Sequence, residues 1–295
     1  MVTGGAGFIG RYLVEHLCDN NQITIYDDLS NSNMEKISFL ISKGAKFVKG
    51  DVLDFEKLLE NSKNFDVVIH LAAKSDVAES VIFPEDTINV NVNGTINVLK
   101  CCVQNKIQKI IFASSAAVYG NYNEMISEKS ATNPVSPYGK SKMNAEKEII
   151  QYSKENKLQY FILRIFNVYG IGQNENYAGV ITRFLKNISE NIPLIIYGNG
   201  KQTRDFISVK DVVKAFECAI LSDNNGIYNI ASGMSVSINE LAEMIQKISG
   251  KKLDIIHKEQ KDGDIKNSTA DITLAEKNLG FVAERKLVDE LSKLL

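Results

Sequence analysis

Three side chains of this sequence are typed and spaced to move a proton to and from an alcohol. Tyr138 and Lys142 lie four residues apart in Ser136-Pro137-Tyr138-Gly139-Lys140-Ser141-Lys142, so on a helix they stand one turn apart on one face. Ser136 is a good helix cap and Pro137 suits a first turn, which places the helix start here. A tyrosine that ionises at about pH 10 is a poor base in neutral water, and a neighbouring ammonium lowers that value by favouring the phenolate. Ser115, at the end of Phe112-Ala113-Ser114-Ser115, adds a hydroxyl able to share a substrate oxygen with Tyr138.

A second set is spaced to hold a dinucleotide. Gly4, Gly7 and Gly10 follow a GxxGxxG pattern. The first glycine permits a tight turn, the second lets the backbone approach a pyrophosphate, and the third lets a helix pack closely on a sheet. The helix that follows aims its positive end at the phosphates. Asp27 and Asp28 close the next strand, the expected interval of about 20 residues further on. An acid there accepts from the adenosine ribose hydroxyls and repels a 2′-phosphate, so the pattern favours NAD over NADP. Arg11 reads as an exposed cation of the first helical turn. Only Met1-Val2-Thr3 precedes the loop, which predicts a very short strand in the middle of the sheet.

These groups need strands and helices to position them. Apolar, β-branched runs at 22–26, 45–48, 66–71, 109–113 and 159–165 read as buried strands, and helical periodicity covers 11–18, 33–42, 89–104 and 138–155. The alternation predicts the α/β class, with a doubly wound, mostly parallel sheet whose ligands lie at the carboxyl ends of the strands, where Ser115 falls. Beyond residue 167 the order loosens into a helix at 180–190, strands at 194–197 and 205–209, a helix at 212–221, and a strand at 228–231. A helix at 237–248, a strand at 254–256 and a last helix complete a smaller mixed α/β C-terminal lobe. The expected division gives 1–166 with about 205–231 to a nucleotide-binding domain, and 167–204 with 232–295 to the lobe.

Lys+Arg total 34 against Asp+Glu 36, a net charge of -2 that supplies no overall attraction to nucleic acid or an anionic membrane. No apolar run is long enough to span a bilayer and no signal segment opens the chain. Cys18, Cys101, Cys102 and Cys218 sit in apolar, helix-like stretches without metal-ligand spacing, so they read as reduced thiols and no metal is expected. A cytoplasmic protein is the expectation.

The motifs together resemble the extended short-chain dehydrogenase/reductases that act on nucleotide sugars, and among these the UDP-glucose 4-epimerases. TGGAGFIG, GDV (50–52), HLAA (70–73), NVNGT (91–95), SSAAVYG, SPYGKSK, RIFNVYG (164–170), IYGNGKQTRDFISVKDV (196–212) and DGDIKNSTAD (262–271) follow the family's order over nearly the whole chain. The resemblance implies a Rossmann-type fold and a tightly held NAD. It implies cofactor contacts from Gly4, Gly7, Phe8, Ile9 and Gly10, from Asp27 and Asp28, and from Asp51 and Val52 at the adenine. Leu71, Ala72 and Ala73 would follow the cofactor backbone, with Asn91, Ser114, Tyr138, Lys142 and Phe166 towards the nicotinamide side. For a UDP-sugar it implies Ser115 at the reacting oxygen, Asn167 at phosphate or sugar, Tyr197 near the uracil and Arg204 on the diphosphate. Val180, Lys261 and Ser268 complete that substrate set. Relatives commonly form homodimers through the helix bearing Tyr138 and the helix beginning near Asn91.

Departures narrow the reading. Lys261 stands where many relatives carry a diphosphate-binding arginine, Ser208 where some epimerases carry histidine, and Val180 where some use asparagine on the sugar. Ser268 is small where some relatives have tyrosine, leaving room for an N-acetyl group. Related dehydratases place an Asp-Glu pair after the active-site hydroxyl, and decarboxylases a glutamate in the same stretch. Here Ala116-Ala117 offers no proton-transfer group, so C4 epimerisation through a transient 4-keto sugar is the expected reaction. A 4,6-dehydratase or decarboxylase, or a non-catalytic NAD-binding sensor, stays as the alternative.

Overall fold

Along the strands of the computed structural model, successive apolar side chains go to opposite faces of one sheet. The model describes residues 1–122, 124–173, 179–260 and 265–295. In chain order its strands are β1 (Val2–Thr3), β2 (Thr24–Asp27), β3 (Lys46–Lys49), β4 (Val67–His70), β5 (Lys109–Ser115), β6 (Gln159–Ile165) and β7 (Asn167–Tyr169). They continue as β8 (Leu194–Tyr197), β9 (Thr203–Ser208), β10 (Gly226–Ile230), β11 (Ser235–Ser237) and β12 (Ile255–Lys258). The main sheet orders β10-β6-β5-β4-β1-β2-β3, with every pairing parallel. Val2, Ile25, Ile69 and Ile111 pack on one face beneath helices Phe8–Leu17, Met34–Ser42 and Val209–Leu221. Tyr26, Val68, Ile110 and Phe112 pack on the other, beneath Phe55–Asn61, Gly94–Gln104 and Pro137–Asn156. Burial on both faces is why these strands read as continuous apolar runs. This is a Rossmann-like doubly wound fold.

β1 is only two residues long yet central. Val2 and Thr3 pair with Ile25 and Tyr26 on one side and with Ile69 and His70 on the other. The Met1 and Thr3 carbonyls accept from the Ile69 and Leu71 amides at 2.9 and 3.0 Å, extending the ladder. The chain winds outward to β3 and then returns to β4 beyond β1, so the order of the strands reverses between β1 and β4. Open sheets bind ligands at such a reversal. The glycine loop leaves β1 and Leu71-Ala72-Ala73 leaves β4 at that point.

Two small sheets, β11-β9-β7 and β12-β8, lie over a separate apolar cluster that includes Phe184, Leu194, Phe206, Leu241 and Leu291. Helix Val209–Leu221 begins three residues before the expected 212, because Ser208 accepts from the Lys210 amide and caps it. The span expected as one helix over 89–104 is a π-helical turn, Asn89–Asn93, followed by Gly94–Gln104. Gly94 packs on Val52, where a Cβ would lie 2.7 Å from Val52 Cγ2. Among the described residues no helix is long and apolar enough to cross a membrane, and the four cysteines are free thiols.

Lys109 ties this layer together. Only 8% exposed, its ammonium donates to the Ile220 and Ser222 carbonyls at 2.6 and 2.7 Å, at the carboxyl end of helix Val209–Leu221, and lies 5.1 Å from the Phe161 ring centroid. Lys109→Met leaves those carbonyls without their charged donor. It is expected to lower unfolding stability by about 2 kcal/mol while NAD retention is unchanged, as read from urea titration of the purified variant.

Candidate active site

Strand β5 and helix Pro137–Asn156 meet in three rungs. Ser136 caps the helix, accepting from the Gly139 amide at 3.0 Å, with Pro137 in the first turn. Successive turns then present Tyr138, Lys142 and Glu146 towards the strand. Lys142 Nζ donates to the Ala113 carbonyl at 2.9 Å, and the Ser114 hydroxyl donates to Glu146 Oε1 at 2.5 Å. Ser115 Oγ accepts from the Ala117 amide at 3.1 Å and hydrogen-bonds the Tyr138 side chain, an interaction that favours the phenolate.

Burial decides the charges here. Lys142 is 3% exposed and 4.7 Å from the Phe112 ring centroid; burial pushes its pKa down to about 7, opposed by the Glu146 carboxylate. The expected lowering of the Tyr138 pKa by this ammonium needs correction. Burial raises it, and the group that pulls it down is Ser115. Lys142 aims its charge at Ala113 and stands 5.9 Å from the Tyr138 ring centroid. His70, fully buried beneath them, is a strut rather than a base. Thr95 gives its proton to the Asn91 carbonyl at 2.6 Å, so it accepts from His70 Nε2 at 3.0 Å, and Thr3 donates to Nδ1 at 2.7 Å. Burial, with Lys142 nearby, depresses the imidazole to about 3, consistent with a neutral ring.

The glycine loop is a cradle that side chains would fill. At Gly4, with φ +69°, a Cβ would lie 2.5 Å from the Ala72 amide nitrogen; at Gly10 it would lie 2.6 Å from the Gly4 carbonyl oxygen. Helix Phe8–Leu17 starts at Gly7 with no side-chain cap, so its first amides face the cradle unclaimed. The Asp27 carboxylate accepts from the Ala6 amide at 3.0 Å and the Leu29 amide at 2.8 Å, which fixes it beside the loop. A glycine floor, an uncapped helix end and an acid closing β2 fit a dinucleotide.

A cavity of about 480 Å³ opens beyond β7, with Asn167, Val180, Tyr197 and Arg204 among its walls. Arg204 Nη1 donates to the Thr203 and Ile265 carbonyls at 2.9 and 2.6 Å. Asp205, wholly buried, accepts from the Ser232 amide and hydroxyl at 2.8 and 2.7 Å and the Gly233 amide at 3.0 Å, anchoring β9 behind Arg204. Ser115, Tyr138, Lys142 and Ser268 are not among the residues lining this cavity. Ser268 is buried, and Lys261 lies outside the described residues.

The NAD dependent epimerase/dehydratase family matches residues 1–231. The chain belongs to this family. A UDP-glucose 4-epimerase of Bacillus subtilis (strain 168) is 30% identical over 316 residues, which cover 97% of this chain and 93% of that protein. A solved UDP-N-acetylglucosamine 4-epimerase from Methanobrevibacter ruminantium M1, in complex with UDP-N-acetylmuramic acid, superposes with a TM-score of 0.95 at 37% identity, covering 99% of this chain and 95% of that one. A UDP-glucose 4-epimerase from Thermotoga maritima with UDP-glucose gives 0.94 at 30% identity, with the same coverage. NAD is the cofactor.

As a member of the NAD-dependent epimerase/dehydratase family, the chain would hold NAD with Gly4, Gly7, Phe8, Ile9 and Gly10, with Asp27, and with Leu71, Ala72 and Ala73 at the end of β4. Several expected contacts have their side chains committed elsewhere. Ser114 is bonded to Glu146; Asn91 bonds the Lys74 amide, the Lys74 carbonyl and the Ser141 hydroxyl; exposed Asp28 closes a local turn on Ser30. Asp51 caps the Leu53 amide, Val52 is core, and Phe166 is buried against Tyr119. The sequence reading missed Glu146, which pairs with Arg164 inside the protein; its signal was an acid one turn beyond Lys142 on the same face. It also missed Arg183, exposed at the cavity wall.

Proposed function

We propose that this enzyme is an isomerase that inverts C4 of a UDP-sugar through a transient 4-keto form. The observation that carries the reading is the short turn after Ser115. Ala116–Val118 holds no acid, and Glu146 is bound by Arg164 and Ser114, so Ser115, Tyr138 and Lys142 are the proton-handling set at the strand end. Elimination or decarboxylation chemistry would call for a further acid or base there.

Tyr138, assisted by Ser115, takes the proton of the C4 hydroxyl and later returns it, while Lys142, one turn on along the same helix face, binds the nicotinamide ribose. NAD, when bound, supplies a reversible hydride acceptor at C4. Arg204, with its fork of donors, Asn167 and Tyr197 hold the nucleotide end while the sugar turns about its diphosphate link. In this reading residues 1–166 and about 205–231 carry NAD, and 167–204 with 232–295 carry the substrate. The enzyme works in the reducing cytoplasm as a homodimer, a reading supported by its free thiols and by Val81, Ile82 and Phe83, which are 64%, 68% and 56% exposed beside the helices expected at the interface.

The direct test follows UDP-glucose and UDP-N-acetylglucosamine by NMR for appearance of the C4 epimer. Inversion of neither sugar, with elimination or decarboxylation products from a wider UDP- and dTDP-sugar panel, would sink the reading. We further propose that small, buried Ser268 admits the N-acetyl group. Ser268→Tyr is then expected to lower turnover of the acetylated sugar at least about tenfold relative to the plain one, a discrimination of about 1.4 kcal/mol; an unaltered ratio removes that idea.

A further inference from the structure

The helix that opens on the cofactor cradle also reaches the substrate cavity. Arg11, expected as an exposed cation of the first helical turn, is partly buried and bonded through both arms of its fork. Nη1 donates to the Ala6 carbonyl, inside the glycine loop, at 3.4 Å, and Nη2 to the Gly172 carbonyl at 3.0 Å. Ala6 is itself pinned, its amide on Asp27 and its carbonyl accepting from the Ser32 hydroxyl at 2.8 Å. The next residue of the helix repeats the reach, with the Tyr12 hydroxyl donating to the Ile171 carbonyl at 3.0 Å. The Phe8 ring meets Tyr12 edge-on, 5.9 Å between centroids, and its Cζ lies 3.3 Å from where a Gly170 Cβ would stand. Gly172 has φ +81°, and a Cβ there would lie 3.2 Å from Arg11 Nη2, so a side chain would crowd the guanidinium. Residues 171 and 172 join two stretches of cavity wall. Asn167, Val168 and Tyr169 of β7 precede them; Gln173 follows, its side-chain carbonyl accepting from the Thr182 hydroxyl of helix Val180–Glu190 at 3.0 Å.

We propose that Arg11 and Tyr12 are positioning residues that register the wall of the substrate cavity against the cofactor loop, so that NAD on the loop tightens binding of the substrate's nucleoside diphosphate. The inference rests on the reading above of that cavity as the place of the nucleotide end. Phosphates seated on the first amides of helix Phe8–Leu17 fix the loop and the helix start. Arg11 and Tyr12 stand in the next turn and carry that constraint to the carbonyls of 171 and 172. Two sites held through one rigid element share a coupling free energy that is equal in both directions. A clamp with only a structural role would add to stability and leave the two affinities independent.

The probe is UDP, whose binding needs no turnover. Its dissociation constant is measured by calorimetric titration of the NAD-loaded and of the cofactor-stripped protein. In the parent, NAD is expected to tighten UDP at least about fivefold. In Arg11→Met/Tyr12→Phe the two affinities are expected to agree within about twofold, whatever happens to the urea midpoint. Tyr12→Phe alone keeps the ring against Phe8, loses only the hydroxyl, and is expected to fall between the two. A double variant that keeps the parent's ratio, or a parent that binds UDP equally with and without NAD, overturns the proposal and leaves the C4 reaction standing. Should the double variant not fold, an unchanged ratio in Tyr12→Phe overturns it equally. A parent that binds no UDP in either form overturns the reading of the cavity, and the proposal with it.

Discussion

Tyr138→Phe is expected to purify with as much NAD as the parent enzyme and to lose about 10³-fold in kcat for C4 inversion, the middle of the range that positioned proton transfer contributes. The ring keeps its packing and its place in the first helical turn, so neither the Ser136 cap nor the helix depends on the lost oxygen. Lys142 stays where it is, because its ammonium is bonded to the Ala113 carbonyl and not to the phenol. What disappears is the one titratable oxygen that Ser115 addresses. Ser115 can still contact a substrate hydroxyl, but an aliphatic hydroxyl is too weak a base to carry the proton away in neutral water. NAD content of the purified variant and the initial rate by NMR check both halves. A kcat within about tenfold of the parent would remove Tyr138 from the proton path.

The parts legible in the sequence were those that local chemistry dictates. The GxxGxxG loop announces itself because glycine alone fits where backbone meets backbone at 2.5 Å and 2.6 Å, and the Ser136-Pro137 start because a cap and a proline mark a first turn. The buried strands were legible as apolar runs for the reason that both sheet faces are covered. What stayed hidden depends on partners distant in the chain. Ser114, expected as a cofactor contact, gives its hydroxyl to Glu146, 32 residues later. Asn91, expected as a cofactor contact, also holds Lys74, 17 residues before it, and Ser141, 50 residues after it. The Tyr138 pKa was misjudged because four-residue spacing fixes the face a lysine occupies, but not which oxygen its ammonium seeks. Short elements such as β7, and helices Phe55–Asn61 and Val77–Ile82, hold too few residues for periodicity to register; Asp54 and Asp76 cap those helices.

Gly10→Ala is expected to reverse the ordinary effect of the same exchange. Inside a helix, replacing glycine by alanine stabilises by about 1 kcal/mol, because the unfolded chain loses freedom and the helical backbone gains a better former. Gly10 is buried in helix Phe8–Leu17, yet an added Cβ would lie 2.6 Å from both the Gly4 carbonyl oxygen and Gly5 Cα. Those are main-chain atoms with no rotamer to yield. Gly4 cannot retreat, since its own Cβ position is 2.5 Å from the Ala72 amide nitrogen and its φ of +69° is already one that glycine favours. The strain therefore goes either into lifting the helix from β1 and β2 or into moving the loop amides that face the phosphates. Overpacking of this kind costs about 1–3 kcal/mol. We expect a lower urea midpoint, and NAD affinity weakened by at least about tenfold, or 1.4 kcal/mol. Calorimetric titration of the cofactor-stripped protein measures the second. A variant that melts at or above the parent and retains its NAD would mean that the loop has slack this packing denies, and the cradle would no longer explain why a glycine stands at position 10.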